Sequence, residues 1–141
     1  MIYIANDHAG YRLKIKLKKY LTKNNVKFID MGTDSEQSVN FPEFCKLVTN
    51  EVAKSNENKG ILICGTGIGM SICANRNPAI RAALCKSPQI ARLARQHNDA
   101  NILVLAGRFT SGFMAKRILK AFLNAEAFGG KYKRRMEEIN E

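Results

Sequence analysis

The chain's 141 residues predict a single doubly wound α/β domain with a five-stranded parallel sheet of the Rossmann-like kind. Three observations carry this. Short apolar runs of strand character recur along the chain, segments of helical periodicity separate them, and one run passes directly into a glycine-rich loop that opens a helix. No internal repeat or low-complexity block divides the sequence, so one domain spans 1–141.

The strand runs are residues 2–5, 26–29, 60–64, 81–84 and 102–105. Leu13, Leu17, Tyr20 and Leu21 stripe the first helix, whose polar face is Arg12, Lys14, Lys16, Lys18, Lys19 and Lys23. Pro42 and Pro88 mark the starts of the second and fourth helices, where a missing N–H does no harm. A third helix begins near Gly69. Ile90, Leu93, Ala94 and His97 stripe the fourth, and Met114, Ala115, Ile118, Leu119 and Phe122 the fifth. After Gly129-Gly130 a basic segment at 131–139 predicts a short separate helix. The common strand order for five such strands is 2-1-3-4-5. That order puts strands 1 and 3 side by side at the switch point, with ligands bound between the loops that follow them.

Composition narrows the function classes. A formal net charge of +11 would suit a nucleic-acid partner, but much of it sits on the polar face of the first helix, and no basic–aromatic stacking motif accompanies it. A nucleic-acid-binding α/β module is the distant alternative. No apolar run approaches the ~18 residues of a membrane span, and the N-terminus reaches Asp7 too soon for a secretory signal. Cys45, Cys64, Cys73 and Cys85 are scattered, without a Cys-x-x-Cys or a matching histidine pair. This pattern predicts no metal site, no disulfide framework and reduced thiols in a cytoplasmic protein; the charge placement and the short apolar runs predict neither nucleic acid nor membrane as partner.

The most informative stretch is Ile61-Leu62-Ile63-Cys64-Gly65-Thr66-Gly67-Ile68-Gly69-Met70. Glycines at alternate positions let the backbone turn tightly and bring its N–H groups up to an anion. A helix starting near Gly69 points its positive end at the same place. A thiol at the last strand position, Cys64, lies where positive potential favours the thiolate. The loop is neither the dinucleotide fingerprint nor a Walker A loop, and the region after Gly69 offers Arg81 and Cys85 rather than the acidic ribose contact expected about twenty residues on. Across the switch point, Asp7-His8-Ala9-Gly10 places a carboxylate and an imidazole at the end of strand 1. His97 on its own reads equally as a core histidine or a charge at a helix C-terminus, and Asn98 as a cap. Lys131, Lys133, Arg134 and Arg135 read as a solvated charge run or, since Lys131 and Arg135 share one face, as a phosphate clamp.

Read together, Asp7-His8-Ala9-Gly10, the 63–70 stretch, Ile80-Arg81-Ala82-Ala83 and Arg95-Gln96-His97-Asn98-Asp99-Ala100-Asn101 resemble the B-type ribose-5-phosphate isomerases. That family also includes the galactose-6-phosphate isomerase subunits. The resemblance runs from the first strand to about Ile139. It implies a reversible aldose–ketose isomerisation of ribose 5-phosphate and ribulose 5-phosphate in the pentose phosphate pathway, without metal or organic cofactor. It implies Cys64 as the base that moves a proton between C1 and C2, with the N–H groups from Gly65 through Thr66, Gly67 and Ile68 to Gly69 stabilising the enediolate. By the same likeness His97 opens the sugar ring with Asp7 nearby, Asn98 contacts the sugar, and His8, Arg108, Lys131 and Arg135 bind phosphate. The family acts as a dimer or dimer of dimers with shared active sites. An allose- or galactose-6-phosphate isomerase is the runner-up. The sequence departs from the family pattern at Lys131, where arginine is usual, at Tyr132, where histidine is common, at Asn40-Phe41, where Asp-Tyr is usual, and at Asn6, where serine or cysteine is frequent. These departures bear on substrate preference, not on reaction type.

Overall fold

The computed structural model describes residues Met1–Glu141. Its elements alternate as expected: β1 (Ile2–Asn6), a 3-10 turn (His8–Gly10), α1 (Tyr11–Lys23), β2 (Phe28–Asp30), α2 (Phe41–Val52), β3 (Lys59–Cys64), α3 (Ile68–Ala74), β4 (Ala82–Leu84), α4 (Pro88–Asn98), β5 (Ile102–Ala106), α5 (Gly112–Asn124) and α6 (Lys131–Glu138). All strand pairs are parallel. Pro42 and Pro88 lie in the first turns of α2 and α4, and side chains of Ser87 and Ser111 cap α4 and α5.

The strand order is 2-1-3-5-4, which corrects the expected 2-1-3-4-5. Burial explains the exchange. Every residue of β5 is buried, so it takes an interior position, whereas the three residues of β4 are only half-buried and suit an edge. Strands 1 and 3 remain neighbours, so the switch point stands. The swap brings β5 directly beside β3, pairing Cys64 with Ala106.

Strand alternation divides the interior into two cores. Ile61 and Ile63 of β3 point to the side covered by α1, α4 and α5, where Leu17, Leu21, Ile118 and Phe122 are buried. Leu62 and Cys64 point to the side covered by α2 and α3, with Val48, Val52 and Met70. The three helices of the first layer carry lysines and arginines and not one aspartate or glutamate. No helix is long and apolar enough to cross a membrane.

Candidate active site

Cys64 ends β3 and is 5% exposed. Beyond it the backbone turns through Gly65, Thr66 and Gly67, and Gly67 takes the left-handed region (φ 77°) as the N-cap residue of α3. A side chain there would be strained, and its Cβ would lie 2.4 Å from Leu84 Cδ1. The Thr66 hydroxyl accepts the Ile68 N–H at 3.2 Å. The N–H groups of Gly65, Thr66, Gly67 and Gly69 have no acceptor within the chain. The β1–β3 ladder stops here because the Asp7 carbonyl, next in line for Gly65, accepts from the Gly10 N–H at 3.1 Å and from Asn6 Nδ2 at 2.8 Å.

Three strand ends meet at this point with no room for side chains. A Cβ on Gly10 would come within 2.7 Å of Ile63, and one on Gly107 within 2.8 Å of the Ala9 carbonyl oxygen. Gly107 is a residue of this site that sequence reasoning missed, and the buried Asn6, noted there only as a departure from the family pattern, holds the Asp7 peptide. The one available signal for Gly107 was a glycine following a wholly apolar strand. Arg108 donates its N–H to the Gly65 carbonyl at 3.0 Å and lays its guanidinium over Gly65, with Nη1 3.2 Å from where a Cβ would sit. The Asp7 carboxylate is buried, and its Oδ1 accepts from Ala9 N–H (2.9 Å) and Gly10 N–H (3.2 Å), which fixes the turn carrying His8. His8 Nδ1 accepts the Val39 N–H at 3.3 Å, leaving Nε2 as the nitrogen that can donate.

The 31–40 loop that makes this contact is rooted in a buried ion cluster. Lys14, 1% exposed, donates to Asp30 Oδ1 at 2.9 Å and to the Thr33 carbonyl, and Lys18 reaches Asp30 Oδ2 at 2.8 Å. Burial alone would raise the Asp30 pKa, but hydrogen bonds from Lys18, the Gly32 N–H and Lys14 outweigh it and hold the carboxyl below its ordinary range. At the loop's end the Phe41 ring packs on Gly69, 2.8 Å from where a Cβ would be. Burial acts alike on two of the other thiols: with Cys73 beside it Cys45 is pushed upward, and Cys85 is pushed up to about 11.

Other expected site residues gather at the opposite edge of the sheet. Helix α4 runs back from the C-terminal end of β4, so His97 and Asn98 lie where β5 begins. A five-residue strand at about 3.3 Å per residue separates them from the Cys64 loop by roughly 15 Å or more. Asp99, with φ 45°, ends α4, and its carboxylate bridges Arg95 Nη1 (2.8 Å) and Arg81 Nη2 (3.3 Å). His97 is not a core histidine: its half-buried ring stacks on Tyr132, with centroids 4.7 Å apart and planes within 13°. Nor does Asn98 cap the helix, since its Nδ2 reaches Met136 Sδ at 3.4 Å. Lys131 and Arg135 are exposed on α6, beside the same Tyr132 ring. A groove of about 520 Å³ opens here, lined by Arg81, His97, Asp99, Phe128, Tyr132 and Met136 among others. One chain thus brings Asp7, His8, Cys64, Gly65, Thr66, Gly67, Ile68, Gly69 and Arg108 together, and holds His97, Asn98, Lys131 and Arg135 apart as a second cluster.

Residues 2–139 match the family described as Ribose/Galactose Isomerase. The chain is 41% identical to ribose-5-phosphate isomerase B of Escherichia coli (strain K12), over 94% of this chain and 89% of that protein. The crystal structure of a ribose 5-phosphate isomerase from Thermotoga maritima superposes with a TM-score of 0.95 at 48% identity, covering 98% of this chain and 95% of that one. The ribose-5-phosphate isomerase B of Mycoplasma genitalium, solved with bound ribulose 5-phosphate, gives a TM-score of 0.94 at 38% identity, covering 98% and 92%.

Proposed function

Because the chain belongs to the ribose/galactose isomerase family, we propose that it interconverts ribose 5-phosphate and ribulose 5-phosphate by proton transfer through an enediolate. The observation that carries this reading is the buried thiol of Cys64, followed directly by four backbone N–H groups that no atom of the chain satisfies. A proton α to a carbonyl leaves only if the charge arriving on the carbonyl oxygen is stabilised. Preorganised N–H donors do that without reorganising during the reaction. Cys64 Sγ takes the proton from C2 of the open-chain aldose, and the charge moves to O1 within reach of Gly65, Thr66, Gly67 and Gly69. A proton passes from O2 to O1, and Sγ returns its own to C1, giving the ketose with every atom conserved.

Ring opening requires an acid/base at the ring oxygen and O1, the role assigned to His97, with Asn98 on the sugar. His8 and Arg108 from one side, and Lys131 and Arg135 from the other, supply the charge for the phosphate. Since Cys64 and His97 occupy opposite edges of one sheet, the reading requires a homodimer, or a dimer of dimers, whose sites take one cluster from each chain. Its support is that the Cys64 edge exposes Ile68 (55%), Ile72 (56%), Phe109 (77%) and Phe113 (71%), large apolar side chains of the kind that subunit contacts cover.

A second reading, hexose 6-phosphate isomerisation, is favoured by one feature: Asn40-Phe41 beside the site offers neither a carboxylate nor a phenol. Parallel assays with ribose 5-phosphate, allose 6-phosphate and galactose 6-phosphate, with and without chelator, test both. Turnover of ribose 5-phosphate about tenfold or more above the hexoses, unchanged by chelation, is expected from the differential binding of one extra carbon. Turnover confined to a hexose phosphate moves the assignment to the second reading. Activity lost to chelator and restored by metal overturns the proton-transfer mechanism.

A further inference from the structure

Helix α6 has eight residues, none of them buried, so neither its own hydrogen bonds nor a core of its own holds it in place. Its ends are tied down: the Phe128 N–H donates to the Gln96 carbonyl at 2.8 Å, and Asn140 Nδ2 to the Pro78 carbonyl at 2.8 Å. Between those ties, rotation of the helix about its axis is fixed by what Tyr132 and Met136 touch. Met136 contributes a sulfur contact to the exposed Asn98. Tyr132 contributes far more. Its ring stacks on His97, meets Phe128 edge-on at 5.6 Å, and lies within 5.4 Å of Lys131 Nζ and 5.9 Å of Arg135 Cζ. One ring therefore touches an imidazole and two cations from neighbouring turns. Each residue of rotation in α6 would swing Lys131 and Arg135 by about 100°.

We propose that Tyr132 is a positioning residue that couples His97 to Lys131 and Arg135, its ring setting the imidazole plane and the rotation of the cation-bearing helix together. This rests on the roles given above to His97 and the two cations, and it goes beyond them in tying acid/base geometry to phosphate affinity. The coupling is carried by the flat face of the ring. The phenolic hydroxyl forms no hydrogen bond with the chain, so it takes no part.

The test compares Tyr132→Ala, Tyr132→Leu and Tyr132→Phe with His97→Asn. The chain has only two histidines, His8 and His97, so their imidazole protons are resolved by NMR without ambiguity. In the wild type the His97 ring protons shift upfield from the stacked ring. Tyr132→Ala and Tyr132→Leu remove most of that shift, leaving what Phe128 contributes at 6.0 Å, and Tyr132→Phe keeps it. In kinetics Tyr132→Ala and Tyr132→Leu raise KM and lower kcat, each by about tenfold, as expected for lost aromatic and cation–π contacts, while Tyr132→Phe stays within about twofold. The fold of each variant, read from its far-UV circular dichroism, stays at the wild-type value. Should Tyr132→Ala disturb it, Tyr132→Leu decides. An inactive His97→Asn beside Tyr132→Ala and Tyr132→Leu of wild-type kinetics overturns the coupling alone. A fully active His97→Asn overturns the role of His97, and the coupling with it. Equal losses in Tyr132→Phe and Tyr132→Ala overturn it by placing the effect on the hydroxyl.

Discussion

The two edges of this sheet are built by different means. At the C-terminal edge, around Cys64, the groups that matter are backbone N–H donors and a buried thiol, crowded so closely that Gly10, Gly67 and Gly107 leave no space for a Cβ. At the N-terminal edge, around His97, they are half-buried or exposed side chains on α4 and α6, kept in place by ring stacking and surface contacts. A site made of main chain is fixed once the sheet forms, and it tolerates almost no change of residue. A site made of surface side chains can be retuned by single substitutions without disturbing the core. On the roles proposed above, proton transfer at Cys64 would rest on main chain, while ring opening and part of the phosphate grip would rest on side chains that can be retuned.

The sharpest way to break this comparison is to ask whether the two edges serve one reaction from different chains. Cys64→Ala and His97→Asn homodimers should each lose activity, on the order of 10³- to 10⁴-fold for removal of an acid/base group. Mixed and allowed to exchange, they should recover about a quarter of wild-type activity, given random two-fold pairing with one intact site per mixed dimer. Demonstrated exchange without recovery would put both residues to work from the same chain.

A second test concerns rigidity at the Cys64 edge. Asp30→Asn leaves the buried Lys14 only the Thr33 carbonyl and the exposed Asp34 at 3.7 Å, which should destabilise the fold by about 3 kcal/mol in urea unfolding at neutral pH. The Asp30 carboxyl is held below its ordinary range, so its contribution is complete above the unfolded value of about 4 and is lost as pH falls through the lower folded value. The gap between wild type and variant should therefore narrow below about pH 4. A gap that is small at neutral pH, or that widens in acid, would mean the 31–40 loop is held by other contacts.

The smallest effect is expected at the His97 edge. Lys131→Ala should raise KM by about tenfold with little change in kcat, and Lys131→Arg should match or improve on the wild type, because a guanidinium grips phosphate bidentately. Identical steady-state constants for all three proteins would return the basic segment to solvated charge.

How much of this was legible in the sequence follows the same division. The Cys64 loop stood out because glycines alternate directly after an apolar strand, and the crowding of Gly65 by Arg108, Gly67 by Leu84 and Gly69 by Phe41 shows that close packing asks for the same residues. Asp7 and His8 were legible through topology, since strands 1 and 3 flank the switch point whichever way the last two strands are placed. The positions of β4 and β5 were not. Their exchange depends on β5 being buried along its whole length, a property of the assembled sheet that a short apolar run shares with any other strand. Nor could periodicity show that His97 faces Tyr132 rather than the core, because both lie on half-buried stripes and the two residues are 35 positions apart. Family likeness put Lys131 and Arg135 with His8 and Arg108 as phosphate binders, and that they share an edge with His97 follows only from the docking of α6 on α4.

The acid-free layer of α1, α4 and α5 has a consequence for how copies of this chain find one another. With exposed Lys16, Lys19, Lys23, Arg92, Lys116, Arg117 and Lys120 and no carboxylate on those helices, two molecules approaching through that layer repel each other over a Debye length of about 8 Å at physiological ionic strength. Approach through it is disfavoured, so the dimer proposed above would form more readily at the apolar rim near Ile68, Ile72 and Phe109. Added salt screens that repulsion, so the preference for the apolar rim over the basic layer would weaken as ionic strength rises.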